Sequence, residues 1–107
     1  MQDLPHILTR YFDAANAQDV QAFVGCFSPD AIVKDEGGVH EGHENIATWN
    51  RTVNEKYNCK HLVKNCGQTS KGVDVTAEIS GTFPGSPIDL IFRFVVQDNK
   101  ISMLEIR

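Results

Sequence analysis

Leu4, Ile7, Leu8, Tyr11, Phe12 and Ala15 recur at steps of three and four residues, which puts them on one face of a helix. Pro5 stands near the start of that helix, where a missing N–H costs little. Asn16-Ala17-Gln18 breaks the stripe. Asp19 can accept hydrogen bonds from the free N–H groups of a second helix, whose apolar residues are Val20, Phe23, Val24 and Phe27. Ser28-Pro29-Asp30 ends that helix, because the residue before a proline is pushed out of the helical region. Ala31 to Glu36 predicts a strand, Gly37-Gly38 a turn and Val39-His40-Glu41 a short partner strand. A third helix follows Gly42, with Ile46, Trp49, Val53 and Tyr57 as its stripe.

From there the period falls to two. Cys59 to Cys66 predicts a strand. Val73, Val75, Ala77, Ile79, Gly81 and Phe83 then alternate with Asp74, Thr76, Glu78, Ser80 and Thr82, the mark of a strand with one buried face. Pro84-Gly85-Ser86-Pro87 is a loop. Ile88 to Val96 is apolar on both faces apart from Asp89 and Arg93, which places it centrally in a sheet. Asp98-Asn99 turns the chain into a last strand, Lys100 to Arg107. Helices first and strands joined by short turns afterwards predict an α+β fold with a mostly antiparallel sheet. The sheet must curve over the helices to bury their stripes, leaving a cone-shaped hollow of the kind that takes small molecules.

The 107 residues predict one domain, spanning 1–107, that buries roughly two-thirds of the surface of its unfolded chain. An apolar fraction of 41% with 22% charged residues fits a globular protein and not a disordered one. A formal charge of −4 and the absence of a dense Lys/Arg stripe argue against a nucleic-acid partner. No apolar run reaches the ~20 residues of a membrane span. Met1-Gln2-Asp3-Leu4-Pro5 lacks the basic start and apolar core of a signal peptide. Three cysteines, an odd number, fit reduced thiols, so a cytoplasmic location is expected.

Tyr11 and Asp35 carry the candidate chemistry. A carboxylate flanked by apolar surface can take a proton from carbon beside a carbonyl, and a phenol can donate to the oxyanion that develops. Each has a plainer reading: Asp35 as acceptor for the Gly37-Gly38 turn, Tyr11 as a core residue of its helix. Trp49, Phe27, Phe92, Phe94 and Met103 are the expected walls of the hollow, with Phe12 and Val53 behind them. His40 is a polar wall candidate near Asp35. Glu105 shares strand parity with Ile101 and Met103, which aims it at the mouth. His40 and His43 with Asp35 and Glu36 lack the helical i, i+4 spacing of zinc motifs. No phosphate-binding loop is present and no base stands near Cys26, Cys59 or Cys66. No metal or cofactor is expected.

The runs Tyr11-Phe12-x-Ala14-x-Asn16-x-x-Asp19, Phe27-Ser28-Pro29-Asp30-Ala31-x-Val33-x-Asp35 and Gly38-x-x-x-Gly42-x-x-x-Ile46, with Phe92-Arg93-Phe94 and Ile101-Ser102-Met103 near the end, resemble the SnoaL-like and ketosteroid isomerase-like group of the nuclear transport factor 2-like superfamily. The resemblance spans nearly the whole chain. It implies a cystatin-like roll, a curved sheet wrapped around three N-terminal helices, and an apolar, oxygen-bearing small molecule as ligand. It also implies isomerase, cyclase or dehydratase chemistry without a cofactor, or else a binding or assembly module without catalysis. Tyr11 falls at the position of the isomerase's oxyanion-holding tyrosine and Asp35 at that of its general base. The second oxyanion donor's position falls on Leu90, with Asp89 one residue early and therefore on the opposite face of its strand. The resemblance further implies a homodimer through the outer sheet face, where Ile91, Val95, Leu104 and Ile106 have the right parity.

Overall fold

The computed structural model describes residues 4–35 and 37–107. Among them are three helices, α1 (His6–Ala17), α2 (Val20–Val24) and α3 (Gly42–Tyr57). Six strands complete the fold: β1 (Phe27–Asp35), β2 (Gly38–Glu41), β3 (Lys60–Thr69), β4 (Gly72–Ser80), β5 (Ile88–Gln97) and β6 (Lys100–Ile106). The strands form one open, curved sheet in the order β2-β1-β6-β5-β4-β3. Every neighbouring pair is antiparallel except β1 and β6, which run parallel. The architecture is the α+β fold expected from the change of period along the chain, in the roll that the resemblance implies. Glu36, the end of the expected first strand, lies outside the described residues.

The helices lay their stripes on one face of the sheet. Ile7, Leu8, Phe23 and Ile46 from the helices and Val33, Val75, Phe94 and Leu104 from the strands are all buried in one core. Gln18 and Asn58, the left-handed residues that end α1 and α3, are tied together by a 2.6 Å hydrogen bond between their side chains. Asp19 caps α2 by accepting from the Ala22 N–H at 3.1 Å.

The second helix stops three residues short of Phe27, and β1 begins at Phe27 instead of Ala31. The pull is tertiary. The Ile101 N–H donates to the Cys26 carbonyl at 2.9 Å, and Phe27 pairs with Ile101, so the chain enters the sheet early. A register shift between Phe27 and Ile32 accommodates Pro29, which has no N–H to offer a ladder.

A bulge in β6 changes which residues face inward. Val95 pairs with Met103 and Val96 with Ile101, leaving Ser102 as the extra residue, its hydroxyl donating to the Val95 carbonyl at 3.2 Å. Ile101, Leu104 and Ile106 therefore share the inner side of the sheet. Leu104 is fully buried and does not belong to the outer apolar patch, and Ile106 packs against the core as well. Met103 and Glu105 pair with Ile32 and Lys34 on the outer face, not in the hollow. That outer face carries charge as well as apolar surface: Arg93 donates twice to Asp74, at 2.9 and 3.1 Å, and Lys64 lies 3.2 Å from Asp89.

Candidate functional site

Asp35 ends β1 on the same side as Ala31 and Val33, both fully buried. Strand periodicity thus aims its carboxylate inward, below α3. Trp49, on the second turn of α3, donates its indole N–H to Asp35 Oδ2 at 2.6 Å. The Gly37 N–H donates to Asp35 Oδ1 at 2.8 Å. His40 from β2 stacks on the Trp49 ring, centroids 5.5 Å apart, with Nε2 3.7 Å from Asp35 Oδ1. Both oxygens of Asp35 therefore accept a hydrogen bond. A carboxylate has about four lone-pair sites, so capacity to take a proton remains.

A cavity of about 660 Å³ opens between α1, α3 and the inner face of the sheet. It brings together six of the residues expected from the sequence: Asp35, Tyr11, His40, Trp49, Val53 and Phe92. Phe12, Phe27 and Phe94 do not line it. They are buried behind it, packed around the Tyr11 ring at centroid distances of 4.9, 6.0 and 5.1 Å. Met103 and Glu105 are excluded by the β6 bulge. Asp89 faces out and accepts from Lys64 at 3.2 Å, while Leu90 lines the cavity in its place.

Tyr11 is 1% exposed. Burial, with the Cys26 sulfur beside it, pushes its phenol well above the ordinary range, so it is a donor and never a phenolate at working pH. Burial likewise raises the Cys26 and Cys59 thiols, which keeps them protonated and poor nucleophiles. His43 spends its Nε2 on the Phe27 carbonyl at 2.8 Å, away from His40. Among the described residues no group of three His, Cys, Asp or Glu is placed to hold a metal ion.

The polar wall residues that the sequence reading of the hollow did not name include Asn50, Asn54 and His61. Asn50 is buried, 6% exposed, and its Oδ1 accepts from Asn54 at 3.2 Å. Both asparagines line the cavity. Their signal was available: they sit one residue after Trp49 and Val53, inside the arc of α3 that faces the core, where a polar side chain needs a reason. His61 is the third. It faces inward from β3 beside Phe12 and Phe92, at 5.9 Å from each ring.

The SnoaL-like domain family matches residues 8–103. This chain belongs to it. A Sinorhizobium meliloti protein provisionally described as a polyketide cyclase is 36% identical over the full length of both chains, with a TM-score of 0.95. A Catenulispora acidiphila protein with a ketosteroid isomerase-like fold, solved with trimethylamine, is 18% identical over 98% of this chain and 86% of its own, at a TM-score of 0.86. The epoxide hydrolase/cyclase-like enzyme SalBIII of salinomycin pyran-ring formation is 22% identical over 94% of this chain and 85% of its own, at 0.80. The last two share the fold. No curated protein matches this SnoaL-like chain in sequence. Among its described residues no helix is long and apolar enough to cross a membrane.

Proposed function

We propose that this SnoaL-like domain binds an apolar, oxygen-bearing small molecule in the cavity and moves a proton on it without a cofactor, as an isomerase, cyclase or dehydratase does. Asp35 is the base and Tyr11 the donor to the oxygen that gains charge. One observation carries the reading: a carboxylate and a buried, permanently protonated phenol line the same cavity. Its volume lies within the roughly 300–1,000 Å³ of small-molecule sites. The provisional cyclase description of the Sinorhizobium meliloti relative supports the same class of chemistry.

The test uses 2-tetralone, an apolar ketone with acidic C–H bonds, and follows deuterium uptake from heavy water by NMR. The protein is expected to speed uptake, and Asp35→Asn to reduce the gain by about 10²–10⁴-fold, the usual reach of general acid–base catalysis. Unchanged exchange in Asp35→Asn would remove Asp35 from the role.

A second reading, a binding or assembly module without catalysis, is favoured by the two hydrogen bonds that already engage both Asp35 oxygens. Tight 2-tetralone binding with no exchange above buffer would select it. Either reading accommodates a homodimer through the outer sheet face, where Leu62 and Ile91 are 60% and 45% exposed. A monomer in sedimentation at micromolar concentration would exclude that dimer. A reducing cytoplasm suits three buried thiols.

A further inference from the structure

His61 sits at the other end of the sheet from Asp35, with β6, β5 and β4 between their strands. β3 is an edge strand, and the backbone groups of His61 that point off the edge are taken by one side chain. The Asn16 amide donates to the His61 carbonyl at 2.9 Å and accepts from its N–H at 2.6 Å. Lys60 in turn donates to the Asn16 carbonyl at 2.8 Å. The edge is thereby pinned to the end of α1, and the imidazole is held between the Phe12 and Phe92 rings at the cavity wall.

The bonds from the Asn16 side chain engage the His61 backbone only and leave the ring's hydrogen bonding incomplete. Among the described residues, only His40 Nε2 and His61 Nδ1 are buried side-chain polar atoms without a partner. Nε2 of His61, on a residue that lines the cavity, is not one of those atoms. A neutral imidazole has one N–H and one bare nitrogen. With the proton on Nε2, the unmet buried atom is a lone pair, and the donor stands where a ligand can reach it. Burial first, and the charge of Lys60 second, lower the His61 pKa to about 4, so the ring is uncharged at neutral pH. A neutral imidazole polarises a carbonyl without carrying a charge into an apolar site, the part a histidine plays in triosephosphate isomerase.

We propose that His61 is a second hydrogen-bond donor of the cavity, whose Nε2–H holds the oxygen of a bound carbonyl or phenolic ring compound at the β3 end. It rests on the small-molecule reading above and fills the role that Leu90 cannot. Tyr11 and His61 both pack on Phe12, at 4.9 and 5.9 Å, so two uncharged donors are held against one aromatic ring while Asp35, the one acidic side chain among the described residues lining the cavity, stands across it. The ligand class follows: a ring system with its oxygen at the donor end and its acidic C–H toward Asp35.

The experiment takes 2-naphthol, which resembles the enol of 2-tetralone, and titrates it into nitrogen-15-labelled protein. The His61 side-chain signals are expected to show an Nε2–H tautomer at pH 7, with that N–H shifting as 2-naphthol binds. His61→Phe, which keeps a ring between Phe12 and Phe92, is expected to bind about tenfold more weakly, the loss of one hydrogen bond. His61→Gln, which keeps a donor, is expected to recover part of it. The NMR arm needs no variant to fold. Equal binding by His61→Phe, or an Nε2–H signal that 2-naphthol does not move, would overturn the role of His61 and leave the site reading standing. A protein that neither binds 2-naphthol nor exchanges 2-tetralone would overturn both.

Discussion

Acid should destabilise this protein through His61 before it protonates the native state. The ordinary imidazole pKa is 6.5, and enclosure lowers that of His61 to about 4. Between those values the unfolded chain takes up a proton that the folded chain refuses. Stability therefore falls as pH drops through 6.5 and stops falling, on this account, near 4. At about 1.4 kcal/mol for each pH unit, the loss from His61 reaches about 2 kcal/mol at pH 5 and about 3 kcal/mol at its full extent. Against a typical total of about 5–15 kcal/mol that is a large share. Urea unfolding measured at pH 7, 6 and 5 on the protein and on His61→Gln isolates the effect, because every other titrating group is common to both. The variant starts less stable or equal at pH 7, and its curve should descend less steeply, by about 2 kcal/mol over the range. Two parallel curves would refute the reasoning. They would mean that water reaches the ring freely and that His61 is not held neutral by the fold.

Tyr11→Phe keeps the buried ring and removes only the hydroxyl, so it should change stability by less than about 2 kcal/mol in urea unfolding while slowing 2-tetralone exchange at least tenfold. Trp49→Phe strips the 2.6 Å hydrogen bond from Asp35 and should cost about 1–2 kcal/mol of stability. If Asp35 is the base, the same variant should also slow 2-tetralone exchange, because the carboxylate loses the bond that aims it. A stability loss with unchanged exchange would assign Asp35 to the turn alone. Gly72→Ala should cost more than about 2 kcal/mol by thermal unfolding, because Gly72 has φ 148° and an added Cβ would collide with the Phe94 carbonyl.

Periodicity made most of the fold legible. The three- and four-residue steps of α1 and α3 and the strict alternation of β4 each report a local property, the face an element must bury. The inward aim of Asp35 follows from the same alternation, two residues beyond Val33. The outward aim of Asp89 followed from counting one residue back from Leu90. What the sequence concealed was set by pairing between distant segments. Phe27 joins the sheet because Ile101 is there to receive it, and no nearby residue reports that. Ser102 is an ordinary strand residue in isolation. Only its place opposite the step from Val95 to Val96 makes it a bulge, and that bulge removed Met103 and Glu105 from the site while bringing Ile106 to it. Asn50 and His61 were visible as polar residues on inward faces, but their worth depended on a cavity that only the assembled walls define.

The two readings of Asp35 that the sequence left open prove compatible in the folded chain. Gly37 donates to one oxygen, as a turn acceptor requires, and Trp49 donates to the other, as a carboxylate held at a cavity wall requires. Those bonds occupy one acceptor site on each oxygen of the carboxylate. They also fix its direction, which a flexible carboxylate at a strand end would lack, and a fixed base needs no reorganisation at the moment of transfer. A second donor at the far end then matters more than a stronger base. With Leu90 where an acid would be, Tyr11 needs a partner to share the developing charge, and His61, packed on the same Phe12 ring, is a cavity group that meets an oxygen with a proton and without a charge. On the proposed reading, the chemistry of this site turns on its uncharged donors, and the ligand it would select is one whose oxygen reaches the β3 end.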